Sequence, residues 1–579
     1  MKFNNIILTI VAFLLLTTSC SDFLTDDQQY TKEEVVTTSG QRSRGLIDDL
    51  YTFYDYEYFT DFSNEYLTDN AVLSSSETAL ATGYWGPTSN PYSGIWSQSY
   101  DNLRQIFQYF DLIVDEGLDY KAGEGNAEIN ANTLQRYYGE AYFLKAWAEW
   151  ELLKIFGGPD EEGNMLGFPI VNGILEDEEY AQLTRDPYDS CVAQIMADLD
   201  IAIDSLPLTY SGSDETFGES QTGRASGLAA YALKAKVALF AASPAFNPDN
   251  DIEKWEKAAA YAYEAITQNN AFLKTLSDYD YTSTDNPDHI WRLRDANLKN
   301  DLEKRLYPPT LYGQGEVNPS QNLIDIFPAS NGYPITDPLS NYDPENPYAS
   351  RDSRFYQFFF YNGDQSFTSE NGSDYDSLQI FMGGLDNFGG FLPTEGTRTG
   401  YYLKRFLNNL DFDPSVDNAT TSASRVYVQL GLTELYLNFA EASNEAYGPD
   451  AYGPGFSFTA KDVLREIRKR AGYSAFDDPY FDAMTTNYDD FKTLLKNERR
   501  IELCFTGERF HDLRRWKEIS EIESIKGVQI VKNDDNSFSY EEVDVETRVY
   551  EDKNCYLPLP YSELLLNENL KQNKGWSID

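Results

Sequence analysis

Cysteine and histidine are scarce in this chain, and they are the residues that most often build disulfides, metal sites and catalytic triads. The 579 residues include four cysteines and two histidines. Apart from Cys20, only Cys191, Cys504 and Cys555 remain, so these three thiols cannot all pair, and no C-x-x-C spacing occurs. The sequence therefore indicates neither a disulfide framework nor a zinc site. Cys191 and Cys504 lie in apolar helical patterns, which predicts buried, unreactive thiols.

Catalytic motifs are also missing. The sequence contains no H-E-x-x-H, G-x-S-x-G, P-loop or dinucleotide-binding glycine pattern. His511 lies among charged residues and is interpreted as a packing or surface residue, whereas His289, just before Trp291, could line a binding face. Acidic residues are so numerous that counting them cannot exclude a glycosidase-like pair. We predict that the chain is not an enzyme.

Basic residues are few, with 46 lysines and arginines against 94 acidic residues and a net charge of −48. This charge repels a phosphate polyanion and argues against a nucleic-acid partner, while neutral and cationic ligands stay open. The acid-rich stretches 341–352 and 411–417 could bind Ca²⁺ through oxygen ligands, but neither fits the twelve-residue calcium loop, which favours solvated loops. No other metal or cofactor is predicted.

Long apolar runs are absent apart from residues 6–16, which are too few to cross ~30 Å of hydrocarbon. Lys2 precedes this run, and the small residues 17–19 follow it, directly before Cys20. The layout is that of a secretory signal and resembles a bacterial lipobox, although Thr17 stands where Leu is usual. We predict a lipoprotein signal peptide over 1–19, a lipidated Cys20 and an acidic tether over 20–39. Several acyl chains on one cysteine anchor a protein stably to a membrane.

Helical periodicity covers most of the remaining chain. Apolar residues recur three and four apart in a set of segments, several of them rich in alanine. The predicted helices are 40–58, 96–114, 137–156, 187–205, 224–242, 255–266, 426–446, 459–471 and 488–503. Small residues along one helix face let antiparallel helices approach closely, as in helix-pair repeats. The sequence thus predicts a mainly α fold of tetratricopeptide-like pairs.

Between residues 271 and 425 the helical period fades, and Gly, Asn, Asp, Pro and Ser become frequent. We predict a loop-rich ligand-binding part here, between an N-terminal helical-repeat region at 40–270 and a C-terminal region at 426–579. Within it, 355–361 is predicted to form short strands. Further strands are predicted at 528–531 and 543–550.

The segment 498–516 carries the most specific pattern of the chain. It fits E-R-R-x-E-L-x-x-E/D-G-x-R-x-x-D-L-x-R-W, with Thr506 where the pattern has an acidic residue. Other matching pieces follow in order: 140–159, 223–225, 319–321, 331–332, 343–344, 351–355, 440–442, 467–472, 558–560 and 572–576. Taken in this order, the pieces resemble the SusD/RagB family from Cys20 to the end of the chain.

The SusD/RagB resemblance implies a tetratricopeptide-like helical-repeat scaffold that carries a loop-rich, ligand-binding portion. It implies an outer-membrane lipoprotein, exposed at the cell surface, that binds a nutrient, with an oligosaccharide or polysaccharide as the expected ligand. It also implies delivery of that glycan to a SusC-like TonB-dependent transporter. Two alternatives stay open: a peptide-capturing RagB-like protein, and a surface glycoside hydrolase with an acidic pair.

The charged residues of the signature have a separate physical interpretation. Glu498, Arg499, Arg500 and Glu502 place opposite charges three and four residues apart on one helix, which is the spacing for side-chain pairing. Arg515 next to Trp516 also allows a guanidinium to stack on an indole. Dense pairing of this kind is usually structural, so we predict that the signature belongs to the scaffold.

Sugar rings stack on aromatic side chains that stand in loops, because a pyranose has an apolar C–H face and polar edges. Tyr84 and Trp85, which lie between glycines, fit this requirement best, and Trp291, Tyr307 and Tyr312 follow. These five residues are the predicted ligand-binding candidates. Core packing is instead predicted for the tryptophans in helical periodicity or in the signature, namely Trp96, Trp147, Trp150, Trp255 and Trp516.

Overall fold

The computed structural model describes residues 40–52, 62–111, 120–121, 125–269, 273–281, 283–292, 298–300, 302–367, 375–407, 423–426 and 428–576. The helices are α1 Gly40–Thr52, α2 Ser63–Tyr66, α3 Ser93–Tyr109, α4 Ala127–Phe156, α5 Asp177–Tyr180, α6 Tyr188–Ser205, α7 Gly227–Ala242, α8 Ile252–Asn269, α9 Leu302–Leu306, α10 Gln321–Ile324, α11 Ser353–Phe358, α12 Leu432–Tyr447, α13 Ala460–Arg470, α14 Pro479–Met484, α15 Tyr488–Leu503, α16 Glu508–Trp516 and α17 Tyr561–Leu566. The strands are β1 Ala71–Leu73, β2 Gly158–Pro159, β3 Met165–Leu166, β4 His289–Arg292, β5 Leu298–Asn300, β6 Val317–Pro319, β7 Phe359–Phe360, β8 Tyr402–Leu403, β9 Ala423–Arg425, β10 Val428–Gly431, β11 Ser524–Lys532 and β12 Phe538–Thr547. The predicted signal peptide, Cys20 and the tether lie outside the described residues.

The long helices pack side by side in an order that largely follows the chain. α3 packs on α4, α4 on α6, α6 on α7, α7 on α8, and α8 on α12, which in turn contacts α13 and α15. This succession of neighbouring helices confirms the predicted mainly α, tetratricopeptide-like scaffold. Among the described residues, no helix combines the length and apolarity that a membrane span requires.

α7 shows why alanine-rich helices form the centre of this scaffold. The side chain of Ser226 caps the helix by accepting a hydrogen bond from Ala229 N at 3.2 Å. All residues of α7 except Tyr231 are buried, because α6, α8 and α12 all pack against it. Small side chains on every face allow this close approach of three neighbours. Ser243 ends the helix and donates its hydroxyl to Leu239 O at 2.7 Å.

The predicted helices are all found where the structure describes them, with shifted ends. α4 begins at Ala127, ten residues earlier than predicted, and ends where expected, at Gly157. A Cβ at Gly157 would lie 2.6 Å from Leu153 O, so this position requires glycine. α12 begins later than predicted, at Leu432, because Val428–Gly431 pairs with β4 as strand β10.

The region 273–407 consists mainly of loops with short helices and strands. Its strands pair antiparallel with distant partners: β1 with β6, β5 with β9, and β7 with β8. The predicted strand at 355–361 is wrong over most of its length, because Asp352 accepts a hydrogen bond from Arg354 N at 2.8 Å and starts α11. Only Phe359–Phe360 is extended. The three regions predicted from the sequence contribute to a common hydrophobic core, since Trp291 and Leu430 pack with the N-terminal helices. The boundaries between the regions stay predictions.

The strand predicted at 528–531 is confirmed within β11, and the one predicted at 543–550 is confirmed over 543–547 within β12, which ends at Thr547. The register of the β11–β12 hairpin places Val528 opposite Glu542 and Ile530 opposite Tyr540. The inner edge of β11 contacts the loop region, because Val528 N donates to Thr399 O at 2.8 Å. The hairpin therefore supports the loops from one side.

Arg354 stands at the centre of a buried ion-pair network between the loop region and the signature helix α15. Its guanidinium contacts Asp352 at 2.7 Å, Glu498 at 2.8 Å and Glu502 at 2.7 Å. Arg468 also pairs with Glu498, at 2.5 Å. The signature carboxylates thus find their partners on other elements, and not on their own helix as the spacing predicted. The prediction that they serve the scaffold agrees with this burial.

The second half of the signature forms a similar network around Arg515. This side chain donates to Glu441 Oε2 at 2.7 Å and to Asp512 Oδ1 at 2.9 Å, and its guanidinium carbon lies 4.7 Å from the centre of the Trp516 ring. Trp516 donates its indole N–H to Glu441 Oε1 at 2.7 Å, and Arg499 donates to Asp512 Oδ2 at 2.7 Å. The predicted guanidinium–indole stacking is confirmed.

Candidate functional site

Tyr84 is the most exposed of the predicted binding residues, with 69% of its surface accessible. It follows Gly83, whose φ of +104° is a conformation that favours glycine and turns the chain outward. Ser89 fixes the turn by donating its hydroxyl to Tyr84 O at 3.1 Å. The ring therefore stands in solvent on a loop whose backbone is held in place.

Trp85, next in the chain, points the other way. Its ring lies parallel to that of Phe510, with centroids 6.3 Å apart and planes 9° apart, and it also contacts Tyr550. The side chain is half-buried against the main hydrophobic cluster. Trp85 therefore anchors the Tyr84 loop to helix α16, and the prediction that it offers its face to a sugar does not fit this packing.

Trp291 and Tyr307 are buried, so their placement contradicts the expectation that they stack on a ligand. Trp291 is 2% exposed and meets Phe143 and Trp147 edge to face at 4.9 and 4.8 Å. Tyr307 is 0% exposed, and its ring meets Phe360 edge to face. Both residues belong to the hydrophobic core. In a short strand or tight turn some side chains face inward even when the surrounding sequence is typical of a loop.

Tyr312 is half-buried at the tip of a tight turn, with a left-handed φ of 63°. A Cβ on the following Gly313 would lie 2.1 Å from Tyr307 O, so only glycine fits there. The ring of Tyr312 meets that of Phe391 edge to face at 5.4 Å, and Phe391 in turn meets Tyr375 at 6.0 Å. Tyr312 thus belongs to an aromatic group that joins two separate loops.

Phe388 is an exposed ring that the sequence-based choice of candidates missed. It is 44% exposed, in the segment Phe388-Gly389-Gly390-Phe391, and the nearby Met382 is 54% exposed. The sequence feature that could have identified it is the pair of phenylalanines that flank two glycines. An aromatic residue next to glycine is also the feature for which Tyr84 was chosen as a candidate.

Asp386 holds the loop that carries Phe388. It is buried and accepts hydrogen bonds from Thr310 N and Gln379 N, both at 2.8 Å. Burial raises the pKa of its carboxyl, and the two backbone donors offset this only in part. Tyr402 adds a bond from its hydroxyl to Asp386 O at 2.6 Å. The loop is therefore fixed from below by a buried carboxylate.

Arg398 connects the loop that carries Tyr84 with the loop that carries Phe388. Its Nη1 donates to Leu73 O and Ser76 O, both at 3.0 Å, and pairs with Glu546 at 3.0 Å. Two residues before it, Gly396 leaves no room for a Cβ, which would lie 2.8 Å from the Phe388 ring. On the other side, Val549 N donates to Ala81 O at 2.9 Å and a Cβ on Gly83 would lie 3.3 Å from the Val549 side chain.

We call the exposed area formed by the loops 74–84, 312–316 and 375–398 the loop surface. It presents the rings of Tyr84 and Phe388 and the edges of the Tyr312–Phe391–Tyr375 group. The same loops carry short, exposed polar side chains, among them Ser75, Ser76 and Thr394. The arrangement offers apolar faces and hydrogen-bonding groups side by side, as a ligand with both kinds of surface requires.

Two cavities are lined mainly by other elements, although the larger one also includes Thr78 of the loop 74–84. The larger, of about 530 Å³, lies between α2, α3, α4 and α16 and is lined partly by His511. The smaller, of about 120 Å³, is lined partly by His289. Burial lowers the pKa of His289 to about 4 and that of His511 well below its ordinary value, so both are neutral at pH 7. His511 Nδ1 accepts a hydrogen bond from Arg514 at 3.4 Å.

Glu434 and Glu508, at the wall between these cavities, are a pair of close carboxylates with opposite pKa shifts. Burial raises the pKa of Glu434, whereas for Glu508 the charges of Lys236 and Arg499 outweigh burial and lower the pKa. Such divergence is typical of glycosidase acid pairs. Here, however, the Lys236 ammonium lies 2.8 Å from both carboxylates and occupies the space between them, where a glycosidic bond would have to enter.

The cysteines and acid-rich loops have structural roles where they are described. Cys191 and Cys504 are buried and unpaired, and burial raises the pKa of their thiols to about 12 and about 11, which confirms the predicted inert state. In the stretch 341–352, Asp343 accepts hydrogen bonds from Glu345 N and Asn346 Nδ2 and so closes a turn. The stretch 411–417 lies outside the described residues, and calcium binding stays a prediction.

Comparison with known protein families identifies the chain along most of its length. The model of the SusD family matches residues 263–576, and a model described as "Starch-binding associating with outer membrane" matches residues 23–239. SusD-like protein P2 of Formosa agariphila is 23% identical over 496 residues, which cover 84% of this chain and 81% of that protein.

Solved structures show the same fold. A SusD-like protein from Bacteroides fragilis has a TM-score of 0.72 at 21% identity, covering 96% of this chain and 99% of its own. A SusD-like carbohydrate-binding protein from the same species reaches 0.69 at 19% identity, over 92% and 99% of the two chains. A laminarin-binding SusD-like protein reaches 0.59 at 19% identity, over 93% and 100%. The family models and the shared fold together show that the chain belongs to the SusD/RagB family, which is associated with the outer membrane and binds glycans.

Proposed function

We propose that this chain is a lipoprotein at the cell surface that binds a glycan and delivers it to a SusC-like TonB-dependent transporter. Family membership supports glycan binding at the outer membrane. The observation that carries the binding role is the pair of exposed rings, Tyr84 and Phe388, on loops that Arg398 ties together. The signal-like residues 1–19 and Cys20 support the anchor.

The chemistry of the loop surface suits a sugar chain better than a compact small molecule. Each exposed ring provides an apolar face for the C–H groups of one pyranose, and the surrounding hydroxyls and amides meet its polar edge. The two rings stand on separate loops, so a ligand that contacts both must be extended. Fixed loops keep the entropy cost of binding low, because Asp386 and Arg398 already hold the backbone.

The placement of one close carboxylate pair and of the two histidines supports binding without bond cleavage. The carboxylates Glu434 and Glu508 lie inside the body and are bridged by Lys236. Both described histidines are neutral and partly or fully buried, and His511 is engaged with Arg514. We therefore propose that the ligand leaves the protein unchanged.

A panel of glycans and peptides, tested by isothermal titration calorimetry with the mature protein, decides between the classes of ligand. We expect binding of at least one oligosaccharide and of no peptide. Incubation of the bound polysaccharide with the protein should release no new reducing ends. Binding of peptides alone would support the RagB-like alternative, and new reducing ends would support the hydrolase alternative.

The anchor and the partner have their own tests. Replacing Cys20 by Ala should stop processing by signal peptidase II and release the protein from the membrane fraction, and globomycin should have the same effect on processing. Affinity purification of the tagged protein from detergent-solubilised outer membranes should recover a TonB-dependent barrel. A protein still processed and membrane-bound without Cys20, or purified without any barrel, would contradict the delivery role.

A further inference from the structure

The segments that form and support the loop surface are almost free of basic residues. Residues 62–103 and 307–350 contain no lysine or arginine, and 364–403 contain only Arg398. Each of these segments has several acidic residues, and Glu77, Asp376 and Glu395 belong to the loop surface itself. An anionic substituent on a sugar needs a cation or a set of oriented N–H donors to replace its hydration.

Arg398 is not available for that purpose, because backbone and carboxylate oxygens of the protein already surround its guanidinium. Nη1 contacts Leu73 O, Ser76 O and the Glu546 carboxylate, all at 3.0 Å, and Nη2 donates to Val545 O at 3.3 Å. The side chain is 18% exposed. Glu546, which also pairs with Arg548, offsets only part of its charge, but protein oxygens occupy its terminal N–H groups and leave few donors for an approaching anion.

Among the described residues of neighbouring elements, the cations are also paired, with two exceptions. Arg305 forms two bonds of 2.6 Å to Glu316, Lys526 pairs with Glu542 at 3.2 Å and with Asp544 at 2.9 Å, and Lys404 donates to the Ser366 hydroxyl at 2.6 Å and to Tyr356 O at 2.9 Å. One exception is Lys304, which is exposed on α9. The other is Lys532, at the end of β11. It is exposed, and its ammonium lies 5.5 Å from the centre of the Phe381 ring.

We propose that the loop surface selects neutral glycans and discriminates against glycans that carry carboxylates or sulfates. The inference rests on the proposed function and specifies its class of ligand. A charged sugar would lose hydration without finding an unpaired cation on the loop surface itself, and it would approach Glu77, Asp376 and Glu395 in the field of a chain with a net charge of −48. A neutral sugar avoids both the loss of charge hydration and the repulsion by carboxylates, and it can still stack on Tyr84 and Phe388.

The direct test compares a glycan with its own charged derivative. The tightest neutral binder from a panel of β-glucans, mannans, xylans and galactans is oxidised so that its primary alcohols become carboxylates, and both forms are titrated at low salt. We expect the oxidised form to bind at least about tenfold more weakly, which corresponds to 1.4 kcal/mol. Raising the salt to 0.5 M should recover part of this loss, because repulsion between exposed charges is screened and lost hydroxyl contacts are not.

Two variants identify the source of the discrimination. Changing Glu395 to Gln should reduce the difference in affinity between the neutral glycan and its oxidised form. The affinity for the neutral glycan should stay within about twofold of the native value. Changing Lys257 to Gln is the matched control, because Lys257 is exposed on α8 and lies outside the loop surface, and it should leave both affinities unchanged. Equal or tighter binding of the oxidised form, or a panel of polygalacturonate and carrageenan that outcompetes every neutral polymer, would overturn the inference and leave the proposed function intact. Binding of no glycan of either kind would overturn the proposed function itself.

Discussion

The signature helices and the loop surface use polar and aromatic side chains in opposite ways. In the signature, Glu498 and Glu502 are buried and pair at 2.7–2.8 Å with Arg354, a buried residue of the loop region. On the loop surface the side chains that matter are neutral rings, exposed and held from below by the backbone. The difference shows that the part of the chain with the clearest sequence pattern builds the scaffold. The proposed ligand contacts are on the loop surface, which has no fixed sequence motif. This is expected when related proteins bind different sugars on one fold.

The largest contrast should appear when the cation that pairs with the signature carboxylates is removed. Changing Arg354 to Met leaves Asp352, Glu498 and Glu502 buried without their main partner, which should cost about 3–5 kcal/mol of unfolding free energy. The matched control is Arg465→Met, since Arg465 is partly exposed and pairs with an exposed carboxylate, Asp482; its cost should stay below about 0.5 kcal/mol. Urea unfolding of both variants measures the difference, and a loss below 1 kcal/mol for Arg354→Met would show that the network adds little.

Acid should weaken the signature in a predictable range of pH. Burial alone would raise the pKa of Glu441, but the charges of Arg515 and Arg499 and the hydrogen bonds from Arg515 and Trp516 together outweigh it and lower the pKa from 4.5 to about 2. A carboxyl whose folded pKa is depressed stabilises the protein above its unfolded pKa, and this contribution is lost as the pH falls from about 4.5 to about 2. Its size is about 3 kcal/mol, from 1.4 kcal/mol for each unit of pKa.

Unfolding free energies measured between pH 6 and pH 3 should therefore fall more steeply for the native protein than for Glu441→Gln. Asp386, in the loop region, acts in the opposite sense, because burial raises its pKa and its ionised form costs stability as the pH rises. Parallel pH curves for the native protein and the Glu441 variant would contradict the assignment of this carboxylate to the stabilising network.

Tyr84 and Trp85 are adjacent in the chain, but Tyr84 belongs to the loop surface and Trp85 packs on the scaffold. Trp85→Ala removes the stacking on Phe510 and should cost about 2 kcal/mol of unfolding free energy, less than a fully buried tryptophan because the side chain is only partly buried. Tyr84→Ala removes an exposed ring and should cost less than about 0.5 kcal/mol. Thermal unfolding of the two variants side by side tests this, and equal losses would mean that the Tyr84 ring packs on the body.

The smallest predicted change in stability comes with a clear change in binding. Phe388→Ala should weaken the affinity for the bound glycan by about tenfold, or 1.4 kcal/mol, through loss of one stacked ring. Its unfolding free energy should change by less than about 0.5 kcal/mol, because the ring is 44% exposed. Affinity electrophoresis in a gel that contains the polysaccharide measures the effect, and unchanged mobility would remove Phe388 from the site.

Much of the fold could be predicted because its helices carry regular apolar periods. The ends that moved did so for tertiary reasons: α12 starts late because β10 pairs with β4, and 355–358 became helical through the cap of Asp352. The charge spacing in 498–502 indicated pairing within one helix, whereas the structure pairs Glu498 with Arg354 and Arg468. Sequence spacing reports which side chains share a face, and it carries no information on what packs against that face.

The site was harder to predict, because exposure decides binding and exposure of a loop residue is set by what folds over it. Trp291 has a loop-like context but enters the core as part of β4. Trp85 and Tyr84 share one context and point in opposite directions. Phe388 could have been proposed from the same rule that selected Tyr84, since it stands next to two glycines, and only the structure places both residues around Arg398.

The most direct test of the binding role is the double variant Tyr84→Ala/Phe388→Ala. Its affinity for the bound glycan is compared with that of Tyr452→Ala, which removes a ring 61% exposed beyond the end of α12. If the two rings act independently, the affinity of the double variant should fall by about 100-fold, with an unfolding free energy within about 1 kcal/mol of the native value. Tyr452→Ala should bind like the native protein. A double variant that keeps native affinity and native stability would show that the glycan binds elsewhere.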